Sequence, residues 1–115
     1  MLPNRIHTSK TARDQLHLIK QRTGVTPNLI ARLAIARSIE QRFDYKTTEP
    51  DANGLEFNIS TLLGEQALLY ERLLVELHGT EDVAELSRAL VSHLDNGLGC
   101  FKGIRDINDL LARLP

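Results

Sequence analysis

Between Pro27 and Phe43 the chain carries Leu29, Ile30, Leu33, Ala34, Ile35, Ala36, Ile39 and Phe43. At about 100° per residue these positions cover more than half the circumference of a helix. A helix so widely apolar must be buried on several sides, in its own chain's core or between subunits. In a chain of only 115 residues, subunits are the favoured cover. Aromatic residues make up 4% of the sequence and Trp is absent, so the core must be aliphatic. Such a core suits helices packed on helices.

The flanking segments read the same way. Ser9 or Lys10 opens a first helix that runs to about Thr23, with Ala12, Leu16 and Ile19 as its buried stripe and Gly24 after its end. Thr26-Pro27 starts the apolar helix, since Thr caps free N–H groups and Pro has none to lose. Residues 45–54 form a loop around Pro50, Asn53 and Gly54. A third helix is expected over Ser60 to His78, with Leu62, Leu69, Leu73 and Leu77 on one face, widened by Leu63, Tyr70 and Leu74, and Gly79 as its stop. Thr80 should cap a fourth helix, ended by Asn96-Gly97, and a last one should span roughly Ile104 to Leu114. Two short alternating stretches, Asn4 to Thr8 and Leu55 to Ile59, carry strand signals. The expectation is a mainly α, single-domain bundle of about five helices over residues 1–115, with a short N-terminal strand.

Hydrophobic residues at 42% and charged residues at 25% fit a folded chain. A lone cysteine, Cys100, cannot form an internal disulfide and suits the reducing cytoplasm. No apolar run approaches the roughly 18–20 residues that span a bilayer, and the N-terminus turns polar by Asn4-Arg5, unlike a signal segment. A cytoplasmic protein without a membrane partner is expected. Nothing points to an enzyme or a cofactor. There is no Gly-rich phosphate loop ending in Lys-Ser/Thr. His7, His17, His78 and His93 have neither i, i+4 pairing nor cysteine partners, so no zinc site is expected. Cys100, in Gly97-Leu98-Gly99-Cys100-Phe101, reads as a small residue packed near a turn rather than as a persulfide carrier.

Charge is divided along the chain. Met1 to Lys46 holds nine Lys/Arg against three Asp/Glu, a net +6, and Thr47 to Pro115 holds five against twelve, a net −7, which together make the overall −1. The basic half (1–46) offers a face to a polyanion, and the acidic helical half (55–115) offers one to proteins or solvent. Within the first helix Lys10, Arg13, His17 and Lys20 fall within one narrow arc beside the apolar stripe, with Asp14 next to it. Stacking like charges at i, i+3 and i+4 costs about 0.2–0.5 kcal/mol per pair. Phosphates would relieve that cost. Arg22 extends the basic set. Gly24-Val25-Thr26-Pro27-Asn28 adds the Thr26 hydroxyl and the Asn28 amide at a helix N-terminus, where anions bind.

Strand, helix, Gly-containing turn and Thr-capped helix over residues 3–43 resemble the ribbon-helix-helix class of DNA-binding proteins. There two chains pair their strands, and the outward residues, here Arg5 and His7, would read the major groove.

Asn4-Arg5-Ile6, Arg22-Thr23-Gly24-Val25-Thr26-Pro27-Asn28, Ala34-Ile35-Ala36-Arg37-Ser38 and His93-Leu94-Asp95-Asn96-Gly97 resemble the DndE family of DNA sulfur modification proteins. The resemblance implies a DNA-binding component of the phosphorothioation machinery, a homo-oligomer (a tetramer) that accompanies DndB, DndC and DndD. It also implies that sulfur chemistry belongs to other subunits. Insertion of sulfur into a backbone suggests duplex DNA, nicked duplex included, as the ligand. A ribbon-helix-helix transcriptional regulator bound to a specific operator, and a scaffold that docks proteins on its acidic helices, remain as alternatives.

Overall fold

The computed structural model describes residues 1–114. In chain order its elements are β1 (Arg5–His7), α1 (Lys10–Thr23), α2 (Pro27–Glu40), β2 (Glu56–Asn58), α3 (Ile59–Leu63), α4 (Ala67–His78), α5 (Val83–Leu98) and α6 (Ile107–Ala112). Short 3-10 turns fill Tyr45–Thr47, Gly64–Gln66 and Gly99–Phe101. The architecture is mainly α, with one two-stranded antiparallel sheet. No helix of the described residues is long and apolar enough to cross a membrane.

The widely apolar helix is the centre of the fold. α2 packs chiefly on α5, with α1, α3 and α4 also against it. Ile30, Ala31, Ala34, Ile35 and Ser38 are buried there. The chain's own helices therefore cover most of α2, where the sequence favoured subunits. The reason is close approach: a side chain on Gly97 of α5 would overlap the Ala34 main chain. With no Cβ between them the two helices sit near enough for one layer of small residues to seal α2. That contact also corrects the reading of Asn96-Gly97 as a helix stop, because α5 continues through both to Leu98.

β1 finds its partner inside the chain rather than in a second copy. Arg5 faces Asn58, Ile6 faces Phe57 and His7 faces Glu56. Ile6 and Phe57 are buried as a cross-strand pair, while the residues beside them point outward. Thr8 prolongs the pairing: its N–H donates to the Leu55 carbonyl at 2.8 Å, and its hydroxyl accepts from the Leu55 N–H at 2.8 Å.

The expected third helix is two helices. Gly64 takes φ 58°, a left-handed conformation that ends α3 and starts a 3-10 turn. Arg32 of α2 receives the freed carbonyls: its Nε donates to Leu62 at 2.7 Å and its Nη2 to Thr61 at 3.3 Å. The turn resets the phase of α4. Of the residues assigned by sequence to the apolar face, Tyr70 and Leu74 at its widened edge face the core, while Leu69 and Leu73 are exposed. α5 starts two residues later than Thr80 suggested, because Asp82 accepts from the Glu85 N–H at 3.0 Å and is the cap. α6 is shorter than expected, since Asp106 caps it and Ile104 is buried in the preceding link.

Candidate nucleic-acid interface

α1 is positioned from its first residue. The Ser9 hydroxyl accepts from the Ala12 N–H at 3.0 Å and bonds the Asp95 carboxylate of α5 at 2.6 Å. Burial of Ala12, Leu16 and Ile19 then fixes which way the opposite face points. Lys10, His17 and Lys20 are exposed on the outer side and form no ion pair among the described residues. Arg13 lies on the same arc, half-buried, with Nε and Nη2 each 3.2 Å from Asp14. The neighbouring carboxylate is one residue away in sequence and exposed, so it can be exchanged for another anion at little cost. His17 and Lys20 line a shallow depression of about 340 Å³ with Gln21. Lys20 and Arg22 also sit in the last turn, where the helix dipole favours cations.

The other residues singled out by sequence lie elsewhere. Arg5 and His7 point outward from β1, but Glu56 stands across the ladder, 3.2 Å from Arg5 and 3.9 Å from His7. They line a separate groove of about 380 Å³ with Asp51 and Arg88. Arg22 donates through Nη1 to the Ile104 carbonyl at 3.0 Å and so ties α1 to the chain's last segment. Asn28 makes a long 3.5 Å bond to the Thr61 carbonyl. Thr26 holds the N-cap position of α2 without a side-chain capping bond, which leaves its exposed hydroxyl uncommitted. The start of α1 is already occupied: Asp51 accepts the Lys10 backbone N–H at 2.9 Å, and that of Asn53 at 2.9 Å. These two N–H bonds hold the Asp51 carboxyl below its ordinary pKa.

Sequence reasoning missed one polar cluster. Ser38 Oγ lies 2.7 Å from His93 Nδ1, and His93 Nε2 lies 2.7 Å from His78 Nε2. The signal was available, because a serine and a histidine interrupt otherwise apolar faces of α2 and α5. Ser38 and His93 are both fully buried, so this Ser–His pair is closed to a polymer substrate.

Comparison with known proteins agrees with the fold. A family model described as DNA sulphur modification protein DndE matches residues 5–109. No curated protein matches the chain. Among solved structures, DndE from Escherichia coli B7A, described as involved in DNA phosphorothioation modification, is 36% identical, with 85% of this chain and 97% of that chain covered and a TM-score of 0.77. A mutant DndE, described as involved in DNA phosphorothioation, is 32% identical, with 89% and 100% covered and a TM-score of 0.78. A match over nearly the whole chain in both sequence and fold leads to one conclusion: the chain belongs to the DndE family of DNA sulphur modification proteins.

Proposed function

We propose that this protein is a non-catalytic DNA-binding subunit of the phosphorothioation machinery, one domain that grips the phosphate backbone through the outer face of α1. The observation that carries the reading is the row Lys10, Arg13, His17 and Lys20, in which the one side-chain ion pair among the described residues is that of Arg13 with the readily displaced Asp14, while Asp51 holds the Lys10 backbone N–H. Backbone contacts of this kind bind many sequences alike and depend steeply on salt. Arg5, His7, Arg22, Thr26 and Asn28 are secondary contacts in this reading, because each except Thr26 already has a partner in its own chain. Duplex DNA, nicked duplex included, is the ligand. The setting is the cytoplasm, with DndB, DndC and DndD as partner proteins.

The same reading makes the protein a homo-oligomer, a tetramer. Leu68, Leu69 and Leu73 expose 67%, 53% and 41% of their surface on α4. Three leucines bared on one short helix are more than scattered surface residues and call for a cover.

A titration of duplex DNA across salt concentrations, run beside a charge-reversed Lys10→Glu/Arg13→Glu/Lys20→Glu protein, tests the grip. The expected result is a steep salt slope that flattens in the variant. Unchanged DNA affinity after charge reversal would leave the row without a role. Sealed and nicked duplexes of one sequence in the same assay test the preferred form, and solution mass tests the tetramer.

A further inference from the structure

Three helices meet at a buried proton relay. The Asn96 amide of α5 donates to Ser38 Oγ of α2 at 2.9 Å, leaving the hydroxyl proton to donate to His93 Nδ1. His93 must then carry its proton on Nε2, directed at His78 Nε2 at the end of α4. Two nitrogens 2.7 Å apart hold one proton between them. A second proton would set two N–H groups against each other, with neither ring hydrogen-bonded to a carboxylate where it stands.

The surroundings decide which ring can leave. His93 is fully buried, with the edge of Phe43 on one side and His78 on the other. His78 is half-buried and packs edge-on against the Tyr45 ring, at 4.7 Å between centroids. It also lines an open depression of about 240 Å³ with Arg42, Asp44 and Lys46. The charged groups that act on it are Asp44, which favours its cation, and Lys46, which opposes it. Glu85 is already bonded by the Tyr45 hydroxyl, and Arg88 stacks over the Tyr45 ring. His93 faces no charged group other than His78.

We propose that the His78–His93 contact is a proton-operated clasp. With one shared proton it holds the end of α4 and the 42–47 turn against α5. A second proton breaks the bond and drives His78 outward to Asp44, loosening the turn. The direction follows from burial, which lowers both imidazoles and, with the neighbouring His78, holds His93 down to about 4. The unfolded chain binds these protons near the ordinary histidine value of about 6.5. Stability is therefore full above that value and falls as pH drops toward 4. Asp95, raised by burial, works in the opposite direction at the acid end, and Asp51 and Asp109, both lowered, titrate below the window.

The test is nitrogen-detected NMR of the histidine rings in the full chain, with amide exchange of residues 42–47 from neutral pH to about 4.5. Expected are one N–H shared between the two Nε2 atoms at neutral pH and, below the ordinary histidine value, exchange that rises about tenfold per pH unit beyond the intrinsic rate. His78→Gln, whose amide oxygen can still accept from His93 Nε2–H but takes no proton, should hold the turn at its neutral-pH exchange rate throughout. Should that variant fail to fold, the wild-type spectra decide alone. Independent titration of both rings at the ordinary value, or exchange at 42–47 that ignores pH, would overturn the clasp, as would an unchanged pH response in a folded His78→Gln.

Discussion

Gly97 of α5 lies directly on the main chain of Ala34, and one turn further along α2 Ser38 bonds His93 and Asn96 of α5. Two of the segments that resemble the DndE family, residues 34–38 and 93–97, are thus the two sides of one helix–helix seam. Replacing Gly97 by Ala should lower stability by about 1–3 kcal/mol, because the new methyl meets backbone that cannot rotate away. Gly99→Ala is the control: it has open space and a right-handed helical backbone, and should be neutral or slightly stabilising. Thermal melts of the two variants check this, and equal midpoints would mean that the helices are not so tightly set.

Ser9 works at two places at once, as the cap of α1 and as the partner of Asp95. Ser9→Ala should cost about 1–2 kcal/mol, the upper part of the range for a lost cap. Burial already raises the Asp95 carboxyl and the Ser9 bond lowers it, so the variant should titrate still higher. A raised acid binds its proton more tightly in the fold, so its stabilising share is present at low pH and is lost as pH rises through that window. Carboxyl NMR of Asp95 in both proteins would show the shift, and an unmoved titration would contradict the assigned bond.

Lys20 and Arg22 look alike in sequence but should fail differently. Lys20 is exposed and unpaired, so Lys20→Ala should leave the melt unchanged and reduce the salt slope of DNA binding by about 0.9 for one lost phosphate contact. Arg22 holds the Ile104 carbonyl, so Arg22→Ala should cost about 1 kcal/mol of stability. Its effect on the slope should be the smaller one. Paired melts and titrations separate the two, and a reversed pattern would reassign the contact.

Arg32 closes the broken third helix by donating to Leu62 and Thr61. Arg32→Ala should destabilise the protein by about 1–2 kcal/mol through two orphaned carbonyls. Amide exchange should rise first around Gly64, and a rise spread evenly over the molecule would argue against a local cap.

Much of the fold was legible before any coordinates. Helical spacing placed α1 and the start of α2 almost to the residue, because Ser9, Gly24 and Thr26-Pro27 mark those ends by local backbone chemistry, whereas the apolar pattern running to Phe43 overshot the end of α2 at Glu40. The basic row on α1 was legible for the same reason, since residues three and four apart share a face wherever the helix is put. The Gly64 break was not, because a glycine inside an apolar run carries no mark of the arginine that will reach it from another helix.

Local chemistry, then, determined α1, the start of α2, the caps at those ends and the alignment of Lys10, Arg13, His17 and Lys20. Tertiary structure alone decided that β1 pairs with β2, that Gly97 serves contact rather than termination, and that Glu56 and Ile104 engage Arg5 and Arg22. The physical reason is range. Backbone propensity acts over one or two turns, whereas partners 51 and 82 residues apart meet only when the whole core has closed.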